Sequence, residues 1–173
     1  MNQAIENMIS RRSVRNYKED MVPKNIIDEI IKAGTYAPTG MNSQSPIILA
    51  ITNKEVRNKL SKLNAKIMQR EDIDPFYGAP VVLVVLADKT KPTAIYDGAL
   101  VMGNLMNAAN SLGVSSCWIH RAKEEFETEE GKEILKSLGI KGEYEGIGHC
   151  ILGYSLKKPE AALRKENYVY YIE

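Results

Sequence analysis

The sequence predicts a single α+β domain over residues 1–173, with a mixed central β-sheet flanked by helices. Three observations carry that reading. Two segments repeat apolar residues at helical spacing: Ile26, Ile27, Ile30 and Ile31, then Val56, Leu60, Leu63 and Ile67. A β-branched run between Pro80 and Ala87 has the composition of a strand covered on both faces. A long segment rich in small residues then separates that run from further short strands. No linker, repeat or composition break divides the chain.

The elements follow in order. Ile5, Met8 and Ile9 mark one side of a short first helix. A second helix runs from about Lys24 to Ala33, with Pro23 at its start and Gly34 at its end. Pro46 to Thr52 reads as a buried strand, and Val56 to Ile67 as an amphipathic helix. The Pro80 to Ala87 strand precedes a helix from about Thr93 to Leu112, stopped by Gly113. Its Gly98, Ala99, Gly103, Ala108 and Ala109 suit packing on more than one side. Ser115 to Ile119 is a short strand, Thr128 to Leu138 a surface helix, and Ile147 to Gly153 another strand. Tyr168 to Ile172 has strand composition but arrives after the compact part is complete. It either closes an edge of its own sheet or joins the sheet of a second subunit.

Composition excludes several functions. The apolar fraction of 44% and charged fraction of 26% are those of an ordinary globular protein. A net charge of +1, from 23 basic and 22 acidic residues, argues against a nucleic-acid or polybasic membrane binder. The polar and acidic start, Met1 to Ile9, does not read as a signal peptide, and the apolar run Ala79 to Ala87 is too short for a membrane helix. Cys117 and Cys150 form neither a disulfide framework nor a metal spacing, so a cytoplasmic setting and no metal are expected. No nucleophile elbow, phosphate-binding loop, zinc-helix motif or dinucleotide fingerprint is present. His120 and His149 read as structural or surface histidines, and Cys117 as a small buried hydrophobe.

Two segments carry chemistry. In Ser10-Arg11-Arg12-Ser13-Val14-Arg15 an extended backbone projects Arg11, Ser13 and Arg15 from one side, where two guanidinium forks and a hydroxyl suit a phosphate. The bland alternative is that these arginines cap the preceding helix. Ala37 to Pro46 mixes Pro, Gly, Asn, Ser and two amide side chains between a helix and a strand. Such a loop offers N–H groups and amides to a planar heterocycle. It also reads as a plain helix-to-strand turn.

The ordered set resembles the nitroreductase family of FMN-dependent oxidoreductases. It comprises Arg11-Arg12-Ser13-Val14-Arg15, Ala37-Pro38-Thr39-Gly40-Met41-Asn42-Ser43-Gln44, Phe76-Tyr77-Gly78-Ala79-Pro80, Gly113 to Ile119, and Leu152-Gly153-Tyr154 with the later Pro159 and Arg164. The resemblance implies FMN as cofactor, with NADH or NADPH as electron donor. The acceptor it implies is a nitroaromatic, a quinone or a similar electron-poor small molecule. Arg11, Ser13 and Arg15 correspond to phosphate ligands, Arg12 to support on the ribityl side, and Arg164 with Lys165 to late basic residues of the same site. Pro38, Thr39, Gly40 and Asn42 correspond to a loop over the flavin, in this family usually the partner subunit's. Gln44 corresponds to an amide near the flavin or ribityl chain, and Asn64 to a contact at the pyrimidine edge, with Lys66 as a neighbouring cation. A homodimer with FMN at the interface and an exchanged C-terminal arm is expected.

No residue of a flavin site need act as acid, base or nucleophile, because the flavin carries the hydride chemistry. Two departures bear on substrate preference. The chain is short, lacking an insertion after the central helix. Ser45 and Ile47 also flank Pro46 where many members carry Pro-Trp directly after the glutamine. The alternatives are a specialised relative, such as a flavin reductase or a reductive dehalogenase, and a flavin store or sensor.

Overall fold

The computed structural model describes residues 1–173. Its helices are α1 (Gln3–Ser10), α2 (Lys24–Thr35), α3 (Lys54–Ile67), α4 (Ala94–Ser111), α5 (Ala122–Glu127) and α6 (Glu129–Ser137). The strands are β1 (Pro46–Ile51), β2 (Val81–Asp88), β3 (Ser115–Ile119) and β4 (Tyr144–Gly153), in the order β1-β2-β4-β3.

β2 organises both cores. Its side chains alternate, so Val82, Val84 and Leu86 join one cluster with Leu60 of α3 and Phe126 of α5. Val81, Leu83 and Val85 join the other, with Ile27 and Ile30 of α2 and Val101, Met102 and Leu105 of α4. Burial of each such side chain contributes roughly 1.5–3 kcal/mol. The double cover explains why the run is apolar throughout rather than alternating.

The mixed sheet expected from the sequence is corrected in one respect. All three pairings of the four strands are antiparallel. Parallel pairing is confined to an isolated bridge between Ser13 and Ser116, which lays the Arg11–Arg15 segment along β3. β4 starts earlier than expected and bulges at Ile147, where Val85 pairs with Gly148 and Leu86 with Gly146.

α1 forms as expected, but Ile5, Met8 and Ile9 remain exposed and none of its residues is buried. It is held to α4 by amides instead: Asn7 Nδ2 donates to the Asn107 carbonyl at 2.8 Å, and Asn110 Nδ2 to Asn7 Oδ1 at 2.7 Å. Tyr168 to Ile172 form no strand within this chain and lie exposed. No helix is long and apolar enough to cross a membrane.

Candidate functional site

The Arg11–Arg15 segment leaves α1 in extended conformation, with Arg11 at φ −60 and ψ 137. Val14 and Tyr17 are buried, and with Val14 turned inward its neighbours Ser13 and Arg15 project the other way. The Val14 amide donates to the Ser116 carbonyl at 3.0 Å, and Tyr17 Oη to the Val14 carbonyl at 2.8 Å. Ser13 and Arg15 then line a cavity of about 410 Å³ with Asn16, Lys157, Pro159 and Glu160.

Arg11 belongs to the same locality. Burial pushes the Cys117 thiol above its ordinary range, while Arg15, a hydrogen bond from Ser13 and Arg11 oppose that rise. The thiol is therefore a protonated core group, as its sequence context suggested, and all three phosphate candidates act on it electrostatically. Two polar atoms beside the bridge have no partner: Arg11 Nη1 and Ser116 Oγ, both buried. Unpaired buried donors are costly, and no acceptor in this chain satisfies these two. Ser116 carries no motif and was not legible as a site residue.

Arg12 follows the bland alternative. Its Nη1 donates to the carbonyls of Ile9 at 2.7 Å and Arg11 at 2.8 Å, closing the end of α1. Arg164 and Lys165 are not brought to the cluster within this chain. Arg164 donates to the Ala162 carbonyl at 2.8 Å, and Lys165 lies 5.2 Å from the Tyr168 ring centre, both on the exposed tail. Lys157 is the late basic residue that lines the Ser13–Arg15 cavity here.

The loop after α2 is highly constrained. Met41, Asn42 and Gln44 all have positive φ, at 52, 52 and 47 degrees. Left-handed backbone outside glycine is costly and persists where surroundings enforce it. The enforcement is visible. The Gly40 amide donates to Asp97 Oδ1 at 2.9 Å, Thr93 Oγ1 to Asp97 Oδ2 at 2.9 Å, and the Gln44 amide to Thr39 Oγ1 at 3.0 Å. A Cβ at Gly40 would stand 2.5 Å from Thr93 Oγ1, so only glycine fits. Gln44 Nε2 donates to Asn42 Oδ1 at 3.2 Å. Thr39 and Gln44 line a cavity of about 330 Å³ with Ala37, Ile47, Ile48 and Val101. Pro38 precedes this turn in the same loop.

The loop and the cluster sit at opposite ends of α4. Asp97 holds the loop and Asn110 holds α1. Thirteen residues of helix separate them, roughly 20 Å.

Asn64 is placed differently from the resemblance. It is 0% exposed. Its Nδ2 donates to the His120 carbonyl at 2.9 Å, and its Oδ1 accepts from Arg121 Nε at 2.9 Å. Both ends of the amide are thus committed within the chain, on a helix whose neighbouring Lys66 is exposed. His149 is structural, as expected: its Nε2 lies 2.6 Å from Glu125 Oε2, and both side chains are buried. His120 is exposed. No group of three or more His, Cys, Asp or Glu side chains is placed to hold a metal ion.

Residues 8–154 match the model of the nitroreductase family. This chain belongs to the nitroreductase family. It is 27% identical, with a TM-score of 0.89 over 100% of both chains, to the crystal structure of a nitroreductase with bound FMN from Bacteroides fragilis. A nitroreductase with bound FMN from Desulfitobacterium hafniense is similar at 25% identity and a TM-score of 0.88, again over 100% of both chains. Among curated relatives, an FMN reductase [NAD(P)H] of Bacillus subtilis is 24% identical over 98% of this chain and 76% of its own length. A putative NADH dehydrogenase/NAD(P)H nitroreductase of Methanothermobacter thermautotrophicus is 25% identical over 66% of this chain, which spans 59% of that relative's length.

Proposed function

We propose that this nitroreductase-family protein is an FMN-dependent NAD(P)H oxidoreductase. It passes electrons to a nitroaromatic, a quinone or a similar electron-poor acceptor in a two-step cycle. The observation that carries the reading is the pair of unpartnered buried atoms, Arg11 Nη1 and Ser116 Oγ, beside Ser13 and Arg15. A phosphate with about two negative charges supplies the acceptors these donors lack. The FMN bound in the two structural relatives, and the NAD(P)H in the relatives' names, agree with it.

FMN, when bound, supplies the hydride chemistry. The chain's own residues do the rest. Arg11, Ser13 and Arg15 anchor the phosphate, with Ser116 as a fourth donor. The strained loop through Pro38, Thr39, Gly40, Asn42 and Gln44 presents backbone and amide groups to the ring, and Asp97 keeps it in shape.

A homodimer is part of the same proposal. Ile5, Met8 and Ile9 of α1 are exposed, as are Met41 of the loop and Ile95, Tyr96 and Leu100 of α4. So much uncovered apolar surface suits a second copy. In that arrangement the loop serves the partner's flavin, and the tail carries Arg164 and Lys165 towards the partner.

The test is anaerobic stopped-flow spectroscopy of the purified protein with NADH and NADPH, followed by a screen of acceptors. Yellow protein that bleaches on mixing is the expected result. Flavin bound but never reduced by either nucleotide favours a store or sensor. Preferred reoxidation by free FMN favours a flavin reductase, the activity named in the Bacillus subtilis relative. A colourless protein whose melting temperature ignores FMN overturns the reading.

A further inference from the structure

The corner between β3 and α5 is held more firmly than a surface turn requires. Arg121 has φ 77 and ψ 10, a left-handed conformation that is unfavourable for any residue with a Cβ. Three consecutive residues there are tied to buried groups. His149 Nδ1 lies 3.3 Å from the Ile119 carbonyl, Asn64 Nδ2 reaches the His120 carbonyl, and Asn64 Oδ1 accepts from Arg121 Nε. A strained residue fixed by its surroundings points to function.

The tether determines where the guanidinium goes. With Nε bound to Asn64, the fork is held at one end, and Arg121 forms no ion pair in the chain. It lines a cavity of about 300 Å³ with Trp118, Ile95, Ala99 and Ile147 as apolar walls. The other charged or titratable groups there are His120, Lys123, Glu124 and Glu145, and Lys123 pairs with Glu145 at 3.1 Å. β3 links this corner to the phosphate cluster. Ser116 lies three residues from Ile119, roughly 10 Å of extended strand. That is a separation a ribityl chain and a ring can span.

We propose that Arg121, oriented by the buried Asn64, is the cation this chain sets against the pyrimidine end of bound FMN, where it stabilises the reduced cofactor. The inference rests on the FMN reading above. In the first half-reaction NAD(P)H delivers a hydride and leaves as NAD(P)⁺, so the bound cofactor gains one negative charge at that end. A fixed guanidinium favours that state over the oxidised one. Asn64 is then a positioning residue, acting through Arg121.

The test measures the FMN midpoint potential of the holoprotein by spectroelectrochemistry, for wild type, Arg121→Gln, Arg121→Gly, Arg121→Lys and Asn64→Ala. Arg121→Gly controls for backbone strain, because glycine suits the left-handed conformation while the guanidinium and its bond to Asn64 are removed together. Arg121→Gln and Arg121→Gly are expected to weaken reduced relative to oxidised FMN about tenfold, a fall of about 30 mV for a two-electron couple. Arg121→Lys should retain part of the wild-type potential, and Asn64→Ala should fall between. If a variant binds too weakly for potentiometry, the ratio of dissociation constants for oxidised and reduced FMN, titrated into apoprotein, reads the same quantity. Variants that bind FMN at the wild-type potential overturn the inference and leave the flavin reading standing. Wild-type protein that binds no FMN removes the flavin reading itself.

Discussion

The Asp97 carboxylate accepts the Gly40 amide at 2.9 Å, tying the loop after α2 to the first turn of α4. Asp97 is buried and also accepts from Thr93 Oγ1. One side chain thereby stabilises a segment with three left-handed non-glycine residues. Replacing it with alanine strands the Gly40 amide and the Thr93 hydroxyl, at about 1–3 kcal/mol. At about 2–4 °C per kcal/mol for a chain this size, calorimetry should show Asp97→Ala melting several degrees lower. Asp97→Asn, which keeps an acceptor oxygen of the same shape, should lose less. Equal losses for the two variants would show that the loop does not depend on the carboxylate's acceptors.

The proposed phosphate cluster makes a sharper forecast. Hydrogen bonds to charged groups contribute about 1.5–3 kcal/mol each. Arg11→Ala alone should weaken FMN by roughly tenfold or more, and Arg11→Ala with Arg15→Ala should abolish stoichiometric occupancy. Arg70→Ala serves as a charge control, since Arg70 pairs with Asp72 on the surface at 2.9 Å. It should leave affinity unchanged in fluorescence titration. Because Arg11 Nη1 has no partner in the chain, Arg11→Ala should not destabilise the flavin-free protein.

How much of this was legible in the residues varies with the physics behind each signal. β2 declared itself because a strand buried on both faces must be apolar at every position. Strand direction did not, since periodicity carries no polarity; β1 and β2 are joined through a helix yet run antiparallel. α5 was missed because its six residues, Ala-Lys-Glu-Glu-Phe-Glu, are too short for a repeat to show. Arg11, Ser13 and Arg15 were legible through alternation, whereas Arg12 was absorbed by the helix end it follows. Asn64 lies on a polar-looking helix, and its enclosure depends on the β3–α5 corner, a contact 57 residues away in sequence. The left-handed Arg121 left no mark at all.

Asp74 should govern part of the acid response. Burial raises its pKa, but hydrogen bonds from Arg57, Ser61 and the Gly78 amide outweigh that and hold it below the ordinary carboxylate range. A depressed folded value contributes stability that is present above the unfolded pKa, about 3.9, and is lost as pH falls through the folded one. Asp74→Asn should therefore be less stable than wild type near pH 7, with the gap narrowing below about pH 4. Urea midpoints across pH 2 to 7 give the comparison. A gap that stays constant at all pH values removes Asp74 from the acid transition.

The Glu125–His149 pair is expected to be costly to split and cheap to replace. Both side chains are 0% exposed, and Glu125 Oε1 has no partner. His149→Leu leaves a buried carboxylate alone, at about 3–5 kcal/mol, whereas a well-packed apolar pair can be neutral. The double variant Glu125→Leu with His149→Leu should therefore recover most of the single variant's loss in chemical denaturation. An additive double loss would mean that the pair does not couple.

The tail bears on assembly. Leu163, Tyr170, Tyr171 and Ile172 are exposed at 98%, 80%, 86% and 102%, in a segment that forms no strand of its own. Ordering such a segment on one chain would need cover that this chain does not supply, so its apolar residues gain burial only against another surface. If that surface is a second copy, removing residues 159–173 should raise the dimer dissociation constant at least tenfold in sedimentation velocity. The sheet and both cores, which take nothing from the tail, should keep their unfolding midpoint in the monomer. Arg164 and Lys165 leave with the tail, so FMN affinity should fall alongside dimerisation. A truncated protein that dimerises like the full chain would take the tail out of the interface. A full chain monomeric at tens of micromolar would remove the exchange altogether.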